Sequence, residues 1–130
     1  MSSSEQKTQI ADVGVVGVPV ANQDRALEFY VGTLGFEKHL DVPMPGGARW
    51  VTVAPRGART MIALVAESAA IPAGVETGIR FMSADADADH AYLRASGVDA
   101  GEVLRWPGVP AMFAFRDQDG NGMEIVEASS

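Results

Sequence analysis

The sequence predicts an α+β domain built from two βαβββ modules, and three observations lead there. The chain has 130 residues, 47% hydrophobic and 21% charged, which is the composition of one folded domain with enough apolar surface to bury. Runs rich in Val, Ile and Phe are interrupted twice by helical patterns. The order of elements then repeats: Tyr30 and Tyr92, like Gly35 and Gly97, stand 62 residues apart. Either half is too small to close its own core, so a duplication that shares one core is the physical reading.

The elements follow in order. Residues 1–9 form a polar, flexible tail, and residues 10–130 a single domain. Ile10 to Val20 is a Val-rich strand with Gly14 and Gly17 at points of close approach. Asn22 caps a helix whose apolar face is Leu27, Tyr30, Val31 and Leu34, and Gly35 ends it. Strands are expected at Phe36 to Val42, Ala48 to Ala54 and Thr60 to Ala66, separated by turns at 43–47 and 55–58. This first module, 10–66, is followed by an Ala-, Pro- and Gly-containing linker at 67–77. The second module, 78–127, has a strand at Gly78 to Met82, a helix at Asp85 to Ala95 ended by Gly97, and a strand region at Val98 to Trp106. Strands at Ala111 to Arg116 and Gly122 to Glu127 flank the Asp119-Gly120-Asn121 turn.

Composition excludes several functions. With 17 acidic against 10 basic side chains the net charge is −7, which argues against nucleic-acid binding, because phosphate contacts need clustered Lys and Arg. Cys is absent, so disulfides, thiolate metal sites and a Cys nucleophile are excluded. No apolar run approaches the roughly 18 residues of a membrane helix and no secretory leader is visible, so a cytoplasmic protein without membrane contact is expected. Lys is scarce and Ala, Gly, Val and Asp are plentiful, which suits a GC-rich bacterial genome. Of the two His residues, His39 lies among charged neighbours and His90 in an acidic helix, and both are expected to face solvent. Asp85, Asp87 and Asp89 are spaced by two, which scatters them around a helix and suits its positive end better than a metal site.

Four stretches carry a family resemblance: Val18-Pro19-Val20, Arg25 to Tyr30, Leu34-Gly35-Phe36, and the run from Phe115 to Ile125 containing Asp117-Gln118-Asp119-Gly120-Asn121. Together they resemble the vicinal oxygen chelate superfamily, which includes glyoxalase I, the bleomycin-resistance proteins and the extradiol dioxygenases. Gln118 stands where that family usually has Pro. The resemblance implies curved mixed sheets around a cavity, helices outside, and a homodimer. It also implies a divalent metal held by four side chains, whose positions here are Val15, Ala63, Gly78 and Glu124. Only Glu124 is a metal donor, far short of the three or more protein ligands a stable catalytic site needs. No metal or other cofactor is therefore expected.

Strand alternation then sorts the side chains. Met123 and Ile125 belong to the core, which turns Gly122, Glu124 and Val126 to the concave face; Ile79 and Phe81 likewise turn Gly78, Arg80 and Met82 there. Arg80 either pairs with Glu124 in place of a metal or extends to solvent. Val51, Val53, Phe113 and Phe115 are core, leaving Trp50, Thr52, Ala54, Met112, Ala114 and Arg116 for the cavity, with Met61, Ala63 and Val65 beside them. The expected ligand-binding set is Trp50, Met61, Arg80, Met82, Met112 and Glu124, in a mostly apolar wall that also holds Val13, Val15 and Val126. Such a wall suits a small hydrophobic or aromatic compound; the alternative is that these side chains pack on each other as ordinary core. Trp106 fits either a cavity rim or a dimer contact.

The expected function is metal-independent binding and sequestration of such a compound, an antibiotic included, as in bleomycin resistance. The alternative is a metal-dependent lyase, isomerase or dioxygenase of the glyoxalase type with an atypical ligand set, in which Glu124 is the one catalytic candidate.

Overall fold

The computed structural model describes residues 7–128, so most of the expected 1–9 tail lies outside the described residues. The first module consists of β1 (Val15–Val20), α1 (Gln23–Leu27) running into a π-helical stretch at Glu28–Thr33, β2 (Glu37–Pro43), β3 (Arg49–Ala54) and β4 (Met61–Ala66). The second consists of β5 (Glu76–Ser83), α2 (Ala86–Ala95), β6 (Leu104–Trp106), β7 (Val109–Arg116) and β8 (Gly122–Glu127). Each forms a four-stranded mixed sheet, in the order β1-β4-β3-β2 and β5-β8-β7-β6. The two orders superimpose, with β1 parallel to β4 and β5 parallel to β8 at equivalent edges.

Local chemistry sets both helix starts. Asn22 accepts a hydrogen bond from the Arg25 amide and Asp85 one from the Ala88 amide, so each satisfies a donor that the first turn leaves open. Asp89, on the same helix as Asp85, accepts from the Ser83 hydroxyl and Asp87 pairs with Arg105, so the acidic series is held in structural contacts. The first helix departs from the expected face. Its widening into i→i+5 bonds, seen as Leu34 N–H to Phe29 O at 2.9 Å, rotates Val31 outward while Ala26 and Tyr30 are buried.

Two other boundaries differ. β5 starts at Glu76, inside the expected linker, because the Gly122 amide pairs with Val75 O and Glu76 falls into register with Gly122. The expected strand over 98–106 survives only as Leu104–Trp106 and an isolated bridge from Ala100 to Phe115. The pairing slips by one residue between them, Ala100 facing Phe115 but Leu104 facing Met112, which interrupts the ladder; the Ala100 carbonyl, turned away from β7, accepts from the Arg94 guanidinium at 2.9 and 3.1 Å.

One core joins the modules. Val18, Val20, Tyr30, Val51, Val53, Ile62 and Leu64 meet Leu93, Phe113, Phe115, Met123 and Ile125, all below 9% exposed. Each large side chain so buried contributes about 1.5–3 kcal/mol. Rings cross the junction in a chain of edge and tilted contacts, Tyr30 to Phe36 at 6.1 Å, Phe36 to Phe81 at 5.4 Å and Phe81 to Phe115 at 6.3 Å. His90, expected in solvent, is half-buried: its ring stands edge-on to Phe113 at 5.0 Å and Nε2 lies 2.8 Å from Gly101 O. His39 is exposed where the β2–β3 register shifts.

Candidate functional site

A buried hub ties the modules together at the turn before β8. Asp117 is 6% exposed; its Oδ2 accepts from the Tyr30 hydroxyl at 2.7 Å and from Asn121 Nδ2 at 3.0 Å. Its Oδ1 accepts from the amides of Asp119 and Asn121, both at 2.9 Å. Asn121, fully buried, also donates to Pro19 O at 2.8 Å and accepts from the Gly74 and Val75 amides. The Ala21 amide reaches Asp119 Oδ2 at 2.9 Å. Burial, reinforced by the charge on Asp117, pushes the Tyr30 phenol well above its ordinary range. The first strand and first helix are thereby fixed against the second module's turn, and this sets how the two sheets meet.

On the second sheet the inner face follows the alternation of β5, in which Glu76, Gly78, Arg80 and Met82 are exposed while Thr77, Ile79, Phe81 and Ser83 are half-buried. Arg80 and Glu124 are register neighbours, and Arg80 Nε lies 2.9 Å from Glu124 Oε1, so the guanidinium and the carboxylate meet. The side chains are 63% and 35% exposed, so the pair adds little to stability and chiefly neutralises the two charges; Glu124 Oε1 is itself buried and accepts no hydrogen bond among the described residues, so the contact is one of charge. Next to it, Met82, Val126, Met112 and Leu104 form an apolar row across all four strands.

A groove of about 670 Å³ runs along the junction of the modules, lined by Val16, Pro55, Arg59, Thr60 and Ile62 from the first and by 77–82 from the second. Its size lies within the usual range for a small-molecule site. A recess of about 200 Å³ adjoins it on the second sheet, with Glu76, Arg80 and Glu124 around Gly78, Ala114 and Gly122.

The expected residues divide between these features. Arg80 and Met82 line the groove, and Arg80 and Glu124 the recess. Trp50 and Met61 are half-buried on the face of the first sheet, and Met112 sits in the apolar row; none of the three lines the groove or the recess. Thr52 and Ala54, expected in the cavity wall, are 1% and 0% exposed, covered by other atoms of the chain and not open to a cavity. The Thr52 hydroxyl has no hydrogen-bond partner among the described residues. Val13 precedes β1 and is exposed, with its carbonyl taken by the Thr60 hydroxyl. Glu76 was hidden from sequence reasoning, since it lies in the stretch that composition marks as linker.

At the positions that the resemblance assigns to a metal, Val15 is exposed, Ala63 is buried, Gly78 adopts φ of 74° in an irregular stretch of β5, and Glu124 holds Arg80. Three have no donor side chain. Among the described residues no group of three or more His, Cys, Asp or Glu could hold a metal ion.

The model of the Glyoxalase/Bleomycin resistance protein/Dioxygenase superfamily matches residues 12–125. The chain belongs to that superfamily. Among solved structures it is similar to TnmS3, an antibiotic binding protein from Streptomyces sp. CB03234, at 35% identity, covering 94% of this chain and 99% of that one with a TM-score of 0.84. A superfamily member from Sphaerobacter thermophilus is also 35% identical, over 93% of this chain and all of the other, with a TM-score of 0.83. The uncharacterised protein YetH of Bacillus subtilis is 31% identical over 124 residues, 91% of this chain and 99% of YetH. A divalent metal at the superfamily's positions does not fit this chain: its single carboxylate there is already neutralised by an arginine, and the other three side chains offer no lone pair.

Proposed function

We propose that this protein binds a small hydrophobic or aromatic compound, an antibiotic among the candidates, and sequesters it without a metal. One observation carries the reading: the Arg80–Glu124 ion pair occupies the corner where a metal would be held, beside a groove of ligand size. Catalysis in this superfamily needs an electrophilic metal, whereas binding needs shape, apolar wall and a few polar groups. The likeness to TnmS3 supports the same direction. We further propose that two copies associate, because Val15, Leu40, Val42, Met82, Leu104 and Trp106 are large, apolar and exposed on the strands. Such a partner would cover the sheet faces that hold Trp50, Met61 and Met112, and all six expected binding residues would then share one enclosed site.

The test uses the full chain dialysed against EDTA, with thermal shift and tryptophan fluorescence read against bleomycin and a panel of polycyclic aromatic antibiotics. A binder at 100 times its Kd is expected to add about 2.7 kcal/mol of stability. Sedimentation of the same sample reports the dimer. Binding or turnover that appears only when nickel, zinc, manganese or iron(II) is restored, and that Glu124→Ala abolishes, would replace this reading with the enzymatic one.

A further inference from the structure

The inner face of the second sheet carries two ion pairs laid in opposite senses. In one, Glu76 on β5 reaches over Gly122 on β8 to Arg116 on β7, with Arg116 Nη2 2.7 Å from Glu76 Oε2. Gly122 makes this crossing possible, because a Cβ there would collide with the Glu76 carboxylate. In the other, the base is on β5 and the acid on β8: Arg80 meets Glu124, with the small Ala114 next in register on β7. Acid and base therefore alternate along and across the strands, and the four charges sum to zero.

Each charge in this patch has an opposite charge beside it. Arg80 is matched by Glu124; Arg116 is matched by Glu76 and also donates to Gly120 O at 2.9 Å. An anion or a cation entering the recess therefore meets no net opposite charge, although guanidinium N–H groups and carboxylate oxygens outside the bridges stay available. A charged group would lose hydration with no net opposite charge to offset it. A neutral polar group meets both requirements of the surface, since guanidinium N–H groups donate and carboxylate oxygens accept within one recess.

We propose that this recess selects the uncharged polar end of an otherwise apolar ligand, such as an amide, phenol or quinone, and rejects a carboxylate or an ammonium on the same ring. Glu76 and Arg116 are then specificity-determining residues along with Arg80 and Glu124. The proposal rests on the binding function above and names its ligand class.

The test compares three probes that share one ring system: naphthalene-2-carboxamide, 2-naphthoate and 2-naphthylmethylammonium, titrated into the full chain by calorimetry. The carboxamide is expected to bind about tenfold more tightly than either ion. Glu76→Gln, which frees Arg116, and Glu124→Gln, which frees Arg80, should each raise 2-naphthoate about tenfold relative to the carboxamide. Glu28→Gln removes the same net charge from the exposed π-helical stretch and should leave the ratio unchanged. The two test variants are independent, so one that fails to fold leaves the other to decide. Equal affinity for carboxamide and naphthoate in the parent protein, or an unchanged ratio in the folded variants, overturns the charge selection while leaving ligand binding intact. If none of the three probes binds, the binding function itself fails and this inference with it.

Discussion

Tyr30→Phe isolates one hydrogen bond in the hub and has an unusual pH signature. The substitution keeps the ring contacts with Phe29 and Phe36 and removes only the hydroxyl that donates to Asp117 at 2.7 Å. Asp117 keeps three donors, from the Asn121 side chain and the amides of Asp119 and Asn121. A bond to a charged acceptor is worth about 1.5–3 kcal/mol, so a loss near 2 kcal/mol is expected at pH 7. The folded phenol titrates above its unfolded value, so its contribution is fully present below about pH 10 and is lost as pH rises. Above that point the parent protein loses about 1.4 kcal/mol per pH unit from this group, and the Phe variant does not. The two stability curves should therefore meet near about pH 11.5. Urea denaturation of both proteins across pH 7 to about 12 measures the gap directly. A gap at pH 7 below about 0.5 kcal/mol, or one that stays constant through the alkaline range, would refute the assignment of this bond as a charge-assisted, interior contact.

Two further outcomes follow from the same geometry. Asn121→Ala removes four side-chain hydrogen bonds, strands the Gly74 and Val75 amides, and should cost more than about 3 kcal/mol, read as a fall of roughly 10 °C or more in Tm by calorimetry. Asp41 is held below the usual carboxylate range by its hydrogen bond to Arg49, so its stabilisation is present above the unfolded pKa and disappears as pH falls through the folded one. Asp41→Asn should therefore lower stability at pH 7 and make the acid limb of a urea-denaturation profile shallower, the gap to the parent closing as pH falls below about 4.

What could be read from the sequence is what depends on neighbours along the chain. The cap at Asn22 and the turn before the last strand are local chemistry and are found where expected, and Asp85, expected as the first residue of its helix, caps it. Strand alternation is equally local, which is why the sequence alone assigns Arg80 and Glu124 to one face. What resisted is a departure from regular geometry or a matter of how strands meet. The outward turn of Val31 comes from a widened helix, and the short β6 from a slip in its register against β7. Glu76 could not be placed on the recess because the β5–β8 register slips between Glu76 and Arg80, so counting back from Arg80 does not reach its partner. Trp50 and Met61 share the expected polarity of the wall, yet their distance from the groove depends on how two sheets meet, which no period in the sequence encodes.

The hub at Asp117 and Asn121 has a consequence for covalent continuity. Its groups come from both sides of the exposed stretch 67–72: Pro19, Ala21 and Tyr30 before it, Gly74, Val75, Asp117, Asp119 and Asn121 after it. The peptide bonds between the halves are thus not what holds them in place. A chain nicked in that stretch would remain clasped as one particle, with a solvent-shielded latch of hydrogen bonds doing the work of the missing link.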